Sequence, residues 1–156
     1  MRKRSKAREY VLQLLYQVDI SRVTLAQALE EFWTYHHVPQ DVRSFADRLA
    51  RGTIEHAREI DQLIAMHANN WDIARMAVVD RNILRLGVYE LLYAEDAPPK
   101  VCLNEAVELA KRFGDEESSR FVNGILDTIH KQRMPKPPDS APSPTTPSPS
   151  AQNDLG

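Results

Sequence analysis

Cysteine is almost missing from this chain: Cys102 is the only one. One thiol closes no intramolecular disulfide and builds no cysteine-clustered metal site, and it suits a reducing cytoplasm. Glycine is scarce as well. Up to residue 133 it occurs only as Gly52, Gly87, Gly114 and Gly124, so there is no glycine-rich phosphate loop. Proline interrupts the same stretch only at Pro39, Pro98 and Pro99. No apolar run approaches the ~20 residues that span a bilayer, so no membrane role is expected. The basic N-terminus is followed by no apolar stretch, which excludes a signal peptide. No segment alternates as a strand would. His56 follows Glu55, but no second histidine stands at metalloprotease spacing. His36 and His37 are adjacent, and adjacent residues do not share a helix face. Without a nucleophile–base pair, a metal cage or a cofactor cradle, the chain reads as a binding protein rather than an enzyme, with no cofactor.

So few breakers over so long a stretch predict helices joined by short loops. Residues 1–133 are expected to form one all-α domain. The composition then changes: seven of the ten prolines lie between Pro135 and Pro149, among Ser, Thr and Ala. Such a segment buries too little to offset its ordering entropy, so 134–156 is expected to be a disordered tail.

Ala7, Val11, Leu14, Leu15 and Val18 predict a first helix over about 4–19. Thr24 and Gln27 have capping-box spacing before a second helix that buries Leu25, Leu29, Phe32 and Trp33. From Pro39 the period runs through Val42, Phe45, Leu49, His56, Ile60, Leu63 and Ile64. That helix is either continuous or broken near Gly52. His56 falls on its apolar stripe and reads as a core histidine. Asn69 and Asn70 stop it, before a short turn with Trp71, Ile73 and Met76. Residues 78–94 are apolar on most sides, as the central helix of a bundle is. Gly87 and Gly124 are expected at close helix crossings. Pro98 and Pro99 predict an extended connection, with a helix from about Leu103 to Phe113, which points inward, and Gly114 as its cap. Asp115, Glu116 and Glu117 precede the last helix, where its dipole favours negative charge. The total is six or seven helices, arranged as two small packed bundles.

Charge is nearly balanced: up to residue 133 there are 19 Lys/Arg and 20 Asp/Glu. It is not evenly spread. Arg2, Lys3, Arg4, Lys6 and Arg8 all precede the first acid, Glu9. This leader is either a footprint for nucleic-acid phosphate or a solubilising segment. If all five met single-stranded RNA, log K would fall with log salt at a slope of about −3.5. Tyr10, Tyr16 and Phe121 are candidate stacking platforms, although such rings usually serve the core.

The run DRNILRLGVYELLYAEDAPPKVCLNEAVELAKRFGDEESSRFVNGILDTI, from Asp80 to Ile129, resembles the NusB family of transcription antitermination factors. So does the opening RKRSKAREYVLQLLYQVD. The order and spacing of LRLGVYELLY, KVCLNEAVELAKRFG and SSRFVNGILD make the match specific, and it covers roughly residues 1–131. The resemblance implies an all-α fold of seven helices in two subdomains and no enzymatic activity. It implies boxA-type RNA and a small-subunit ribosomal protein acting as NusE as partners. RNA polymerase would be engaged indirectly, in ribosomal RNA operons, and the setting is cytoplasmic. Some members also self-associate as homodimers. By resemblance, Arg2, Lys3, Arg4, Lys6 and Arg8 map onto the RNA surface, with Phe121 and Glu117 beside it. Tyr16 and Asp80 map onto the ribosomal-protein surface. Positions 80 and 117 keep the family's charge while differing in length. Two rival readings stand beside this one. They are an RNA-binding accessory domain of an rRNA cytosine methyltransferase, and a homodimeric protein scaffold.

Overall fold

The computed structural model describes residues 2–69 and 72–133. The expected tail, 134–156, and the Trp71 turn residue lie outside the described residues. Among these, seven α-helices and no strand occur: α1 (Lys3–Ser21), α2 (Leu25–Tyr35), α3 (Gln40–Glu55), α4 (Ala57–His67), α5 (Val78–Tyr89), α6 (Pro99–Phe113) and α7 (Ser118–Arg133). Helices α1, α2 and α3 pack as one group, and α6 and α7 pack as another. Helix α5 lies between them and touches α1, α3, α4, α6 and α7. That central place matches its apolar circumference: Ile83, Leu84, Leu86 and Val88 are all buried. Leu14, Leu15, Leu49, Ile60, Ile64, Leu126 and Ile129 close around it. Burying each such side chain stabilises the fold by roughly 1.5–3 kcal/mol.

The local signals explain most helix ends. Thr24 and Gln27 form the predicted capping box: Gln27 N–H donates to Thr24 Oγ1 at 3.1 Å and Thr24 N–H to Gln27 Oε1 at 3.0 Å. The long apolar period after Pro39 belongs to two helices. The break falls at His56, whose ring Nδ1 lies 2.9 Å from the Gly52 carbonyl oxygen. Gly52 itself stays helical, with the Tyr89 ring where a Cβ would project. Pro99 opens α6 rather than preceding it, because a helix's first N–H groups have no intrahelical acceptor to lose. Phe113, expected inward, ends α6 at 40% exposure. Gly114 is extended (φ −94°) rather than left-handed, and its bare Cα makes room for Ser118 Oγ. The α5 period does not run unbroken to residue 94. A π turn over Glu90–Ala94 follows Tyr89, with Glu90 buried.

The two glycines expected at crossings differ. At Gly87 a Cβ would meet Leu126 Cδ1 at 2.7 Å, the close α5–α7 approach that the sequence predicts. At Gly124 a Cβ would meet nothing within 4 Å, so it marks no crossing. Gly124→Ala should therefore stabilise by about 0.8–1 kcal/mol through helix propensity. Gly52→Ala, whose Cβ would lie 2.1 Å from Tyr89 Cζ and its hydroxyl oxygen, should destabilise by about 1–3 kcal/mol. Urea denaturation of the two variants checks both signs.

Candidate nucleic-acid and partner interface

The basic leader is helical almost from its start. Arg2 is the residue before α1, and no acid stands in that helix's first turn. Arg2, Lys3, Arg4 and Lys6 are exposed. Lys3 Nζ pairs with Asp41 at 3.0 Å, with both side chains mostly in solvent. The lysine holds the Asp41 carboxyl below the usual carboxylate range. Arg4 lies over the Phe45 ring, 4.5 Å from its centroid. Lys6 lies 3.5 Å from Glu9 and 5.3 Å from the Tyr10 ring centre.

Arg8 is different, and the uniform reading of the leader is corrected there. It is only 2% exposed. Its Nε and Nη2 each donate to a Glu90 carboxylate oxygen at 2.8 Å, and Glu105 lies 3.6 Å away. Burial works to lower the Arg8 pKa. The Glu90 bonds and the Glu90 and Glu105 charges outweigh it, so the guanidinium stays charged. Arg8 is committed to the interior because helical period turns that position inward beside Ala7 and Val11. Tyr10 also serves the core, packing edge-on against Phe32 and Trp33 at 5.5 and 5.9 Å.

A second surface forms where α5 meets the start of α7. Asp80, Glu117 and Phe121 line one cavity of about 230 Å³, together with Met76, Ala77 and Asp115. Asp115 takes the Glu117 N–H at 2.9 Å, and its own N–H donates to Ser118 Oγ at 2.9 Å. These bonds fix the turn that presents Glu117 to solvent and leaves Phe121 half-buried. Tyr16 is 39% exposed on α1 and is not in this lining. Sequence reasoning found Asp80 but missed Met76 and Ala77 as its neighbours. Only the fold brings the loop before α5 against α7.

Asp80 is 8% exposed, and its Oδ1 is buried without a hydrogen-bond partner. Burial lifts its carboxyl above the usual carboxylate range, the Ser118 hydroxyl works against this, and the Asp115 charge adds to it. A carboxyl with a raised folded pKa holds its proton more tightly folded than unfolded. Its stabilising contribution is present below the unfolded pKa and is lost as pH rises through the folded one. Ionised Asp80 therefore works against the fold at neutral pH. Asp80→Asn should raise Tm there, and the gain should shrink as pH falls toward the ordinary value of about 3.9. A neutral-pH melt showing the variant less stable would mean that the carboxylate is already satisfied.

Among the described residues no three His, Cys, Asp or Glu side chains are grouped to hold a metal, and no helix is long and apolar enough to cross a membrane. Fold and surfaces together define an all-helical protein that presents an ordered cationic helix start and a separate acidic, aromatic-walled cavity. Residues 5–131 match the NusB family model. The transcription antitermination protein NusB of Thermodesulfovibrio yellowstonii is 46% identical over 142 residues, covering 85% of this chain and 94% of the relative. A solved structure of T. maritima NusB superposes with a TM-score of 0.77 at 43% identity, covering 85% of this chain and 93% of that one. The crystal structure of antitermination factors NusB and NusE in complex with dsRNA gives a TM-score of 0.78 at 32% identity, covering 85% and 98%. This chain belongs to the NusB family of transcription antitermination proteins, which are not enzymes.

Proposed function

We propose that this protein binds boxA-type single-stranded RNA together with a small-subunit ribosomal protein acting as NusE. Through that pair it supports RNA polymerase, which it engages indirectly, in reading through terminators of ribosomal RNA operons. The cytoplasm, where nascent transcripts are made, is the compartment this role requires. The observation that carries the reading is the exposed cationic start of α1, on a fold shared with the NusB of an RNA-containing NusB–NusE complex.

The residues divide the work. Arg2, Lys3, Arg4 and Lys6 supply phosphate contacts, which position the strand but read no sequence. Phe121 offers an aromatic wall for a base, with Glu117 at the same cavity. Asp80 offers the ribosomal protein a buried acceptor that lacks a donor, and Tyr16 an exposed ring on α1. Arg8 holds the helix that carries the leader.

Fluorescence anisotropy of a labelled boxA-type RNA, with and without the ribosomal protein, tests the reading. Binding that tightens when the ribosomal protein is added is the expected result. Absence of binding in both conditions would remove the RNA role and favour the protein scaffold.

A further inference from the structure

Two clefts flank the start of α1, and they differ in charge. The cleft toward α6 is lined by Arg2 and Arg112 but also by Glu9, Glu105 and Glu108. The cleft toward α3 is lined by Lys3, Arg4 and Arg48, against Asp41. The formal charge of these side chains is −1 on the first flank and +2 on the second. A phosphate is therefore disfavoured toward α6 and favoured toward α3.

The α3-side cleft is also organised for an anion. It encloses about 390 Å³. Phe45 anchors it, with the Arg4 guanidinium 4.5 Å and the Arg48 guanidinium 5.4 Å from the ring centre. The ring's quadrupole attracts both. Asp96, just past the π turn, draws the same two side chains together. Arg4 Nη1 donates to its carbonyl oxygen at 3.2 Å, and Arg48 Nη1 to both carboxylate oxygens at 3.2 Å. Each guanidinium carries five N–H donors, and these bonds engage one nitrogen of each. Among the described residues Lys3 is held by its solvent-exposed pair with Asp41, an interaction of little strength that an incoming phosphate can replace.

We propose that the α1/α3 cleft is a phosphodiester subsite, where Arg48 joins Lys3 and Arg4 and adds one backbone-phosphate contact to the bound RNA. The inference rests on the RNA reading above and extends it to a residue outside the leader. It extends the phosphate path from the start of α1 onto α3. The Asp96 carboxylate acts as a stand-in acid for Arg48, and its backbone carbonyl holds Arg4, until the phosphate arrives.

The test uses the full chain, labelled boxA-type RNA at ~0.1 M salt, and thermal melts of every variant. One single-strand phosphate contact gives a salt slope of about 0.7, which at that salt is about fivefold in affinity. Arg48→Gln should weaken binding about fivefold and reduce the slope by about 0.7. Asp96→Asn removes the competing acid and should tighten binding. Arg51→Gln, on the same helix but outside the cleft, should change affinity less than Arg48→Gln. If Arg48 and Asp96 matter only as a structural pair, both variants will lower Tm and move RNA affinity in the same direction, which overturns the subsite. Wild-type affinity in Arg48→Gln, while the parent chain binds RNA, overturns it too and leaves the RNA reading intact. If the parent chain itself binds no RNA, the RNA reading falls first and takes the subsite with it.

Discussion

Replacing Arg8 by methionine should destabilise the protein by about 3–5 kcal/mol, measured by urea denaturation. The whole stability of a domain this size is about 5–15 kcal/mol, so a large part of it depends on one side chain. The expectation follows from what is left behind. Glu90 is 4% exposed, and its carboxylate is satisfied by two 2.8 Å bonds from Arg8. Without the guanidinium, a buried negative charge remains next to Cys102, whose thiol burial already pushes up to about 12. Changing Glu90 to methionine as well should recover most of the loss, because an apolar pair of similar volume is often as stable as a buried ion pair. Recovery in the double variant separates an uncompensated charge from simple loss of packing. A single-variant cost below about 1 kcal/mol would show that Glu90 finds water or another donor.

Replacing Arg2, Lys3, Arg4 and Lys6 together by alanine should abolish most RNA affinity while leaving the fold intact. Arg8 drops out of the earlier count of five, because its charge is spent on Glu90 and Glu105. The four leader cations then contribute about −2.8 to the salt slope, where five would contribute about −3.5. At ~0.1 M salt the loss is then between two and three orders of magnitude. Anisotropy titrations at two salt concentrations read both numbers. A slope that flattens by about 2.8 in the variant fits four exposed leader cations acting on phosphate. Unchanged affinity in the variant would make the leader a solubilising segment.

The fold was legible because its determinants are local. Scarce breakers, the Thr24–Gln27 box and the apolar period of α5 each act over a few residues, and a sequence displays them directly. Helix ends were harder where a residue has two uses. Pro98 and Pro99 could extend a connection or open a helix, and only the position of Pro99 at the first turn decides. Gly124 and Gly87 look alike in sequence, yet one faces solvent and the other faces Leu126. The sequence left open whether the helix breaks near Gly52, because the apolar stripe resumes in phase beyond His56. At the candidate sites, the leader's charge was plain, but its division was not. Arg8 and Arg4 both lie over the buried Phe45 ring and differ in what else the fold brings to them: the Glu90 carboxylate in the core for Arg8, the Asp96 carbonyl oxygen for Arg4. Arg48 had no local signal at all, since its relation to Arg4 exists only through α1 packing on α3.

The unpartnered Oδ1 of Asp80 has a consequence for selectivity. A group already stripped of water by folding discriminates sharply among whatever covers it. A partner presenting an N–H or O–H donor completes the bond without first having to dehydrate the acceptor. A partner presenting a methyl group leaves the already dehydrated oxygen as it was, and forgoes about 1–3 kcal/mol that a donor would recover. That gap is roughly a tenfold to hundredfold preference, set by one atom. In the proposed complex the cavity at α5 and α7 would then favour a surface that presents a donor there, a preference that shape complementarity alone would not achieve.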